Sequence, residues 1–188
     1  MLSRRVFLLS AFVAPGLSLL QRTAIGKALD TSKVLVLTEN NCLDTSAFAA
    51  CLPSTYIETD PTSVLLELDS SFREGEYDMV FGLTRDSNFV LVEQYAQSAS
   101  YQLCYQGVHQ YNSRGLSHKL RAEKNVVSQL SELIKNESKD WSQLISRVPV
   151  LSNYNEALMV SAELQTEVSS PEHSPGQLVS WLFKRDLS

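Results

Sequence analysis

Residues 78–84, with the sequence DMVFGLT, decide the expected fold of this chain. They form a short and continuous apolar run, which is typical of a strand buried on both faces. A similar run, KVLVLT, occupies residues 33–38. Between the two runs, Asp60 and Pro61 indicate a helix start, with a capping residue before a proline at the first helical position. Strands that alternate with helices predict βαβ units and a largely parallel sheet.

The rest of the chain continues this alternation. Asp86 or Ser87 is expected to cap the helix after the DMVFGLT strand, and Asp140 with Gln143 resembles a capping box. Further helices are predicted over 44–52, around 126–134 and from 174 to 183, and further strands over 56–57, 101–109 and 158–168. We therefore predict one α/β domain over residues 29–188. It is a three-layer sandwich with a mostly parallel sheet of about five strands, in which an alternating strand such as 158–168 suits an antiparallel edge position.

Residues 1–28 have the layout of an export signal: a basic start, an apolar stretch and small residues near the end. The apolar stretch is shorter than the roughly 20 residues that a spanning helix needs. Arg4 and Arg5, followed by Phe7 and Leu8, resemble the twin-arginine (Tat) motif, which a dedicated receptor reads. The sequence therefore predicts a periplasmic protein with the Tat translocase as a partner. The alternatives are an ordinary Sec signal and an uncleaved signal that anchors the protein to the inner membrane.

Charge excludes some classes of function. The whole chain has 16 Lys and Arg against 21 Asp and Glu, and four of the basic residues lie in residues 1–28. The remaining chain is acidic, with a formal charge of -9. A general nucleic-acid binder needs a basic face, so nucleic acid is not expected as a partner.

Export changes the interpretation of the three cysteines. An oxidising compartment favours disulfides, and Cys42 and Cys51 are the natural local pair. Cys104 leaves the count odd, and its alternating apolar surroundings favour a buried small side chain. No closely spaced Cys or His ligands occur, so no metal site is predicted. The cofactor, if there is one, is not indicated by any motif.

Candidate site residues follow the predicted strands. Open α/β sheets bind ligands beyond the carboxyl ends of their strands. Glu39 and Asn41 follow the first strand there, and Thr84 and Arg85 follow the third. Arg85 beside a helix N-terminus is a candidate for gripping a small anionic ligand. The alternative is that these residues only cap the helix, with Arg85 paired to a surface carboxylate.

His109 is the candidate general base, with Asp86 or Glu39 as its partner. It could equally be a polar residue at a strand end. His118 belongs to the only basic concentration after the signal, residues 114–121, for which we expect a solvated loop and a first helical turn. The alternative is that this cluster contacts an anionic ligand or partner. The absence of Gly-rich nucleotide loops and of a Gly-x-Ser-x-Gly elbow disfavours nucleotide enzymes and conventional esterases.

Three segments carry a family resemblance. The Gly-Leu-Thr-Arg run at 82–85, the Glu-Gln pair at 93–94 and the run SPGQLVSW at 174–181 are similar to a group of exported bacterial Tat-signal proteins of unknown function. The resemblance implies export and singles out Thr84 and Arg85, but it implies no activity.

Two functional hypotheses remain at this level. The first is a periplasmic ligand-binding or accessory module of an envelope or redox system, exported with or working beside a larger redox enzyme. The second is a small periplasmic hydrolase or transferase that uses Asp86, His109 and Arg85 at the sheet edge. The enzyme requires these side chains to converge, whereas the module does not.

Overall fold

The structure is a computed structural model that describes residues 33–53, 57–59, 61–152, 158–168 and 176–186. The predicted signal with Arg4, Arg5, Phe7 and Leu8 lies outside the described residues, as does the Asp60 cap. The strands are β1 (Val34–Thr38), β2 (Ile57–Thr59), β3 (Met79–Thr84), β4 (Tyr101–Asn112), β5 (Gly115–Glu123), β6 (Met159–Thr166) and β7 (Gln177–Arg185). The helices are α1 (Leu43–Ala49), α2 (Pro61–Glu74), α3 (Asp86–Ser98), α4 (Lys124–Asn136), α5 (Trp141–Ile145) and α6 (Val148–Leu151), with a 3-10 turn at Ser138–Asp140.

The seven strands form one mixed sheet in the order β2-β1-β3-β7-β4-β5-β6. β1 runs parallel to both β2 and β3, as the two buried apolar runs predicted. Every other pair, from β3–β7 to β5–β6, is antiparallel. The prediction of a mostly parallel sheet of about five strands is therefore wrong.

The error comes from two segments. The predicted helix over 174–183 is instead the strand β7, which lies between β3 and β4 in the middle of the sheet. Its run Leu178 to Phe183 is buried, and a short continuous apolar run has no periodicity that separates a buried strand from a buried helix. The expected loop and helical turn over 114–121 is strand β5, which forms a hairpin with β4 from the pair Asn112–Gly115 onward. The alternating strand predicted over 158–168 is present as β6, antiparallel at one edge.

Helices cover both faces of the sheet. The first core lies between the sheet and the helices α1, α4, α5 and α6, and it contains Phe48, Phe81, Leu120, Leu130 and Trp141. The second core lies between the sheet and α2 and α3, and it contains Phe72, Val80, Phe89 and Trp181. Alternate residues of one strand therefore enter different cores, so the register of β7 decides which side chains meet.

Within the described ranges, no helix is long and apolar enough to cross a membrane.

Candidate functional site

The carboxyl ends of β1 and β3 lie side by side, with Thr38 opposite Leu83. The residues that follow these two strands, Glu39 and Arg85, contact each other at this edge of the sheet. The Glu39 carboxylate accepts a hydrogen bond from the Arg85 backbone N–H at 3.1 Å and another from the Asn88 side-chain amide. Its second oxygen lies 3.9 Å from Arg85 Nε. The fold thus brings together Glu39 and Arg85, both of which the sequence placed at this edge.

The Glu39 carboxylate occupies the N-terminus of α3 beside Arg85, where the sequence predicted that an anionic ligand would bind. Its side chain is only 12% exposed and lies at the N-terminus of α3, where backbone N–H groups and the helix dipole favour a negative charge. Arg85 is the N-cap residue and makes no side-chain capping bond, so the predicted caps Asp86 and Ser87 are wrong: Asp86 is the first residue of the helix. Glu39, from another strand, supplies the acceptor instead.

Arg85 remains the outward-facing group at this edge. Its side chain is 63% exposed, and 3.9 Å from Glu39 is at the outer limit of an ion pair. Asn41 is also exposed and adopts a left-handed backbone conformation with φ of 59°, which Asn tolerates in turns. Arg85 and Asn41 are therefore the exposed members of the group that the sequence placed at this edge.

Thr84 does not face this edge. Its side chain is fully buried, and its hydroxyl accepts a hydrogen bond from Trp181 Nε1 at 3.2 Å. The same hydroxyl donates to the Arg85 carbonyl at 3.2 Å. Thr84 therefore satisfies a buried indole of the second core.

The His109 side chain lies on the face of the sheet opposite to that of the Thr84 side chain. It lies beside Leu178 of β7 and His118 of β5, and Leu178 belongs to the first core. Thr84, next to Arg85, instead bonds Trp181 in the second core. The sheet therefore lies between the His109 side chain and the side chain of Thr84. The two ring nitrogens of His109 bond His118 and Ser180, not Asp86 or Glu39.

Four side chains form what we call the histidine cluster: Tyr105, His109, His118 and Ser180. His109 Nδ1 lies 2.8 Å from His118 Nδ1, and His109 Nε2 lies 2.7 Å from Ser180 Oγ. Ser180 Oγ and the Tyr105 hydroxyl share a hydrogen bond of 2.8 Å. Gly107 makes the cluster possible, since an added Cβ would lie 2.4 Å from the Tyr105 oxygen and 2.6 Å from Ser180 Oγ.

Burial keeps the histidine cluster uncharged. Desolvation lowers the pKa of His118 to about 4, and desolvation together with the neighbouring His118 holds the pKa of His109 well below its usual value. Burial likewise raises the pKa of Tyr105. The order of Ser180, His109 and His118 has the spacing of a nucleophile, a base and an orienting group. All three are buried, however, so the arrangement acts as an internal hydrogen-bond chain and not as an accessible nucleophile.

Trp141 of α5 packs against the two histidine rings of the cluster. Its ring lies against His109 with a centroid separation of 4.3 Å, and it contacts His118 edge-on at 5.5 Å. Its Nε1 donates to the Tyr111 hydroxyl at 3.4 Å, and that hydroxyl donates to Asp44 Oδ2 at 3.0 Å. Burial raises the pKa of Asp44, while the bonds from Tyr111 and Trp141 partly offset that effect. Polar contacts thus link α1, β4 and α5 over the first core.

The cysteines are not paired. Cys42, Cys51 and Cys104 are all free thiols in the structure. Cys42 is buried at the start of α1, whereas Cys51 is exposed and donates a weak bond to Gln143 at 3.7 Å. Cys104 is half-buried at the irregularity of β4, and burial raises the pKa of its thiol. Within the described part of the chain, no group of three or more His, Cys, Asp or Glu side chains is placed to hold a metal ion.

Sequence reasoning missed Ser180, Tyr105 and Asn88 as contact residues. Ser180 lay inside the predicted helix, so its alignment with His109 was not visible. His118 was interpreted as part of a basic cluster, although Leu116, His118, Leu120 and Ala122 alternate with polar residues. That period of two is the signal that assigns His118 to a buried strand face.

Comparisons of the chain with protein-family models, with curated proteins and with solved structures give no match.

Proposed function

We propose that this protein is an exported, periplasmic ligand-binding or accessory module of an envelope or redox system. In this proposal the Tat translocase carries it, and Arg85 at the carboxyl edge of β1 and β3 contacts a small anionic ligand or an acidic group of a co-exported redox enzyme. The proposal assigns no cofactor.

One observation carries the preference for a binding module over a hydrolase or transferase. The enzyme hypothesis needs Asp86, His109 and Arg85 to converge. Asp86 and Arg85 are exposed at the N-terminus of α3, whereas His109 is 1% exposed and lies beside Leu178 of the first core. A general base must reach the proton that it takes, whereas both ring nitrogens of His109 are held inside the protein by His118 and Ser180.

The exposed guanidinium supports an anionic ligand. Arg85 presents donors in a fixed fork that matches carboxylate and phosphate groups. Glu39 neutralises the helix N-terminus but approaches the guanidinium only to 3.9 Å. An added anion therefore competes with one distant carboxylate and with water.

The test compares two arginines of equal exposure. Arg85→Gln removes the proposed grip, and Arg73→Gln is the matched control, because Arg73 is 64% exposed and also lies near one carboxylate, Asp69 at 3.1 Å. Binding of inorganic phosphate and of succinate is measured by calorimetry. We expect Arg85→Gln to weaken binding about tenfold or more, as for loss of a charged hydrogen bond, with no change in Arg73→Gln.

Two results would count against the proposal. If the wild type and both variants bind equally, Arg85 is not part of a binding site. If the wild type binds neither anion, and no acidic protein co-purifies with it from the periplasm in an Arg85-dependent way, the binding-module proposal is wrong. A hydrolytic activity that Arg85→Gln abolishes would support the enzyme hypothesis instead.

A further inference from the structure

The two edges of the sheet differ in length and regularity. β2 at one edge has three residues, Ile57–Thr59. β6 at the other edge has eight residues and pairs with β5 without a register shift, from Glu123–Met159 to Leu116–Thr166. Among the described residues, no strand lies beside the outer edge of β6.

β6 lacks the usual features that prevent edge strands from pairing. Natural edges are protected by proline, by lysine, by bulges or by short length. The β6 sequence MVSAELQT contains no proline or lysine, and its one charged residue is Glu163. The Glu163 carboxylate lies 3.4 Å from Lys119 of β5 on the open face of the sheet. The outer row of backbone N–H and C=O groups is thus regular enough to pair with another strand.

A row of apolar side chains follows the same edge. Val160, Ala162 and Leu164 are half-buried and pack at the margin of the first core. Leu158, just before the strand, has the same parity and is 86% exposed, the highest value for a large hydrophobic side chain in the described part of the chain. A strand added to β6 would cover this row and extend the first core.

We infer that the outer edge of β6 pairs antiparallel with β6 of a second copy of this chain, about a two-fold axis at Ala162. In this register Val160 faces Leu164 of the other copy, and Leu158 faces Thr166. On the open face, Ser161 lies opposite Glu163 of the other copy. A two-fold interface of this kind is self-complementary and produces a continuous sheet through both protomers.

Charge selects this register over its neighbour. Moving the axis to Glu163 would place the two Glu163 carboxylates directly opposite each other, and like charges opposite one another destabilise a strand pair. The axis at Ala162 avoids this repulsion and leaves each Glu163 beside its own Lys119. It also keeps the apolar row of both copies on the face that the helices cover.

The experiment changes the charge opposite Glu163. Ser161→Glu places a carboxylate opposite Glu163 of the other copy, and the two-fold axis repeats this pair once on each side. Ser161→Lys places an ammonium group at the same two positions. Ser161 is exposed and lies opposite Arg121 on β5 within its own protomer, so Ser161→Glu does not disturb folding of the monomer. Gln110→Glu is the matched control, because it adds the same charge at an exposed position of β4, inside the sheet.

Sedimentation velocity across a concentration series measures the dimer constant. We expect the wild-type protein to dimerise, Ser161→Glu to weaken dimerisation roughly tenfold because two pairs change together, and Ser161→Lys to strengthen it. Gln110→Glu should match the wild type. A wild type that stays monomeric at every concentration overturns the inference. So does a dimer that responds equally to Ser161→Glu and Gln110→Glu, because the contact then lies elsewhere.

Discussion

The Nδ1 atoms of His109 and His118 face each other at 2.8 Å in the first core, so one ring must donate and the other must accept. A proton on the accepting nitrogen leaves two donors face to face. Ser180 holds the other nitrogen of His109 at 2.7 Å, and Trp141 lies against the same ring. The geometry therefore excludes two imidazolium rings, and burial of the pair favours two neutral ones.

Stability should decrease in mild acid. The folded pKa of His118 is about 4, below its usual value of 6.5, and that of His109 is also lowered. The unfolded chain therefore binds more protons below pH 6.5, and folding loses free energy as the pH falls from about 7 toward 4. His118 alone should cost about 2 kcal/mol at pH 5. Asp44, with a raised pKa, acts in the opposite direction at lower pH.

Urea unfolding at pH 7.5 and pH 5 measures this loss, and imidazole NMR signals report the two histidines directly. We expect neutral-ring shifts for both residues down to pH 5 in the folded protein. Titration of either ring near 6.5 would contradict the buried, neutral pair.

Gly107→Ala should destabilise the fold. The added Cβ would lie 2.4 Å from the Tyr105 oxygen, in a cluster where every neighbour is buried. We expect a loss of about 1–3 kcal/mol, as for other overpacked cores. Tyr105→Phe removes the obstructing oxygen, so the double variant should lose less than the sum of the two single variants. Strictly additive losses in urea unfolding would show that the contact with Tyr105 is not the cause.

Glu39→Ala should cost about 1 kcal/mol, because the carboxylate accepts from the Arg85 N–H and from Asn88 at the start of α3. Glu39→Gln keeps an acceptor and should lose less. Asp69→Ala is the control: it removes an exposed i, i+4 partner of Arg73 and should cost only about 0.3–0.5 kcal/mol. Equal losses for Glu39→Ala and Asp69→Ala would mean that Glu39 does not cap the helix.

Thr84→Val should destabilise the protein by about 1–3 kcal/mol, because the buried Trp181 N–H would lose its acceptor. Thr84→Ser keeps the hydroxyl and should recover most of that loss. Thermal or urea unfolding distinguishes this from a role limited to ligand binding. In that case Thr84→Val would leave the unfolding free energy unchanged.

Export is tested by replacing Arg4 and Arg5 with lysine. A receptor that reads paired arginines should no longer accept the signal, so we expect periplasmic protein to disappear while the precursor accumulates in the cytoplasm. Arg22→Lys, outside the motif, is the control within the same segment. Unchanged periplasmic yield of the double variant would point to an ordinary Sec signal.

The first half of the fold could be predicted from local patterns. β1, α2, β3 and α3 each carry their own apolar period and end signals, and their order leads to a parallel β1–β3 pair. The meeting of Glu39 and Arg85 followed from that pairing alone. The capping of α3 by Glu39 could not be predicted in the same way. It depends on Glu39 reaching the helix end formed by Arg85 and Asn88, which are distant from it in the chain.

The amino-acid sequence by itself determined an acidic chain after residue 28, an α/β alternation and the group of residues at one sheet edge. Tertiary structure decided the position of β7 and the cluster of Ser180, His109 and His118. The physical reason is that a short apolar run such as Leu178 to Phe183 suits a helix and a buried strand equally. Only the vacant central position between β3 and β4, with hydrogen-bonding edges on both sides and a core on both faces, makes it a strand.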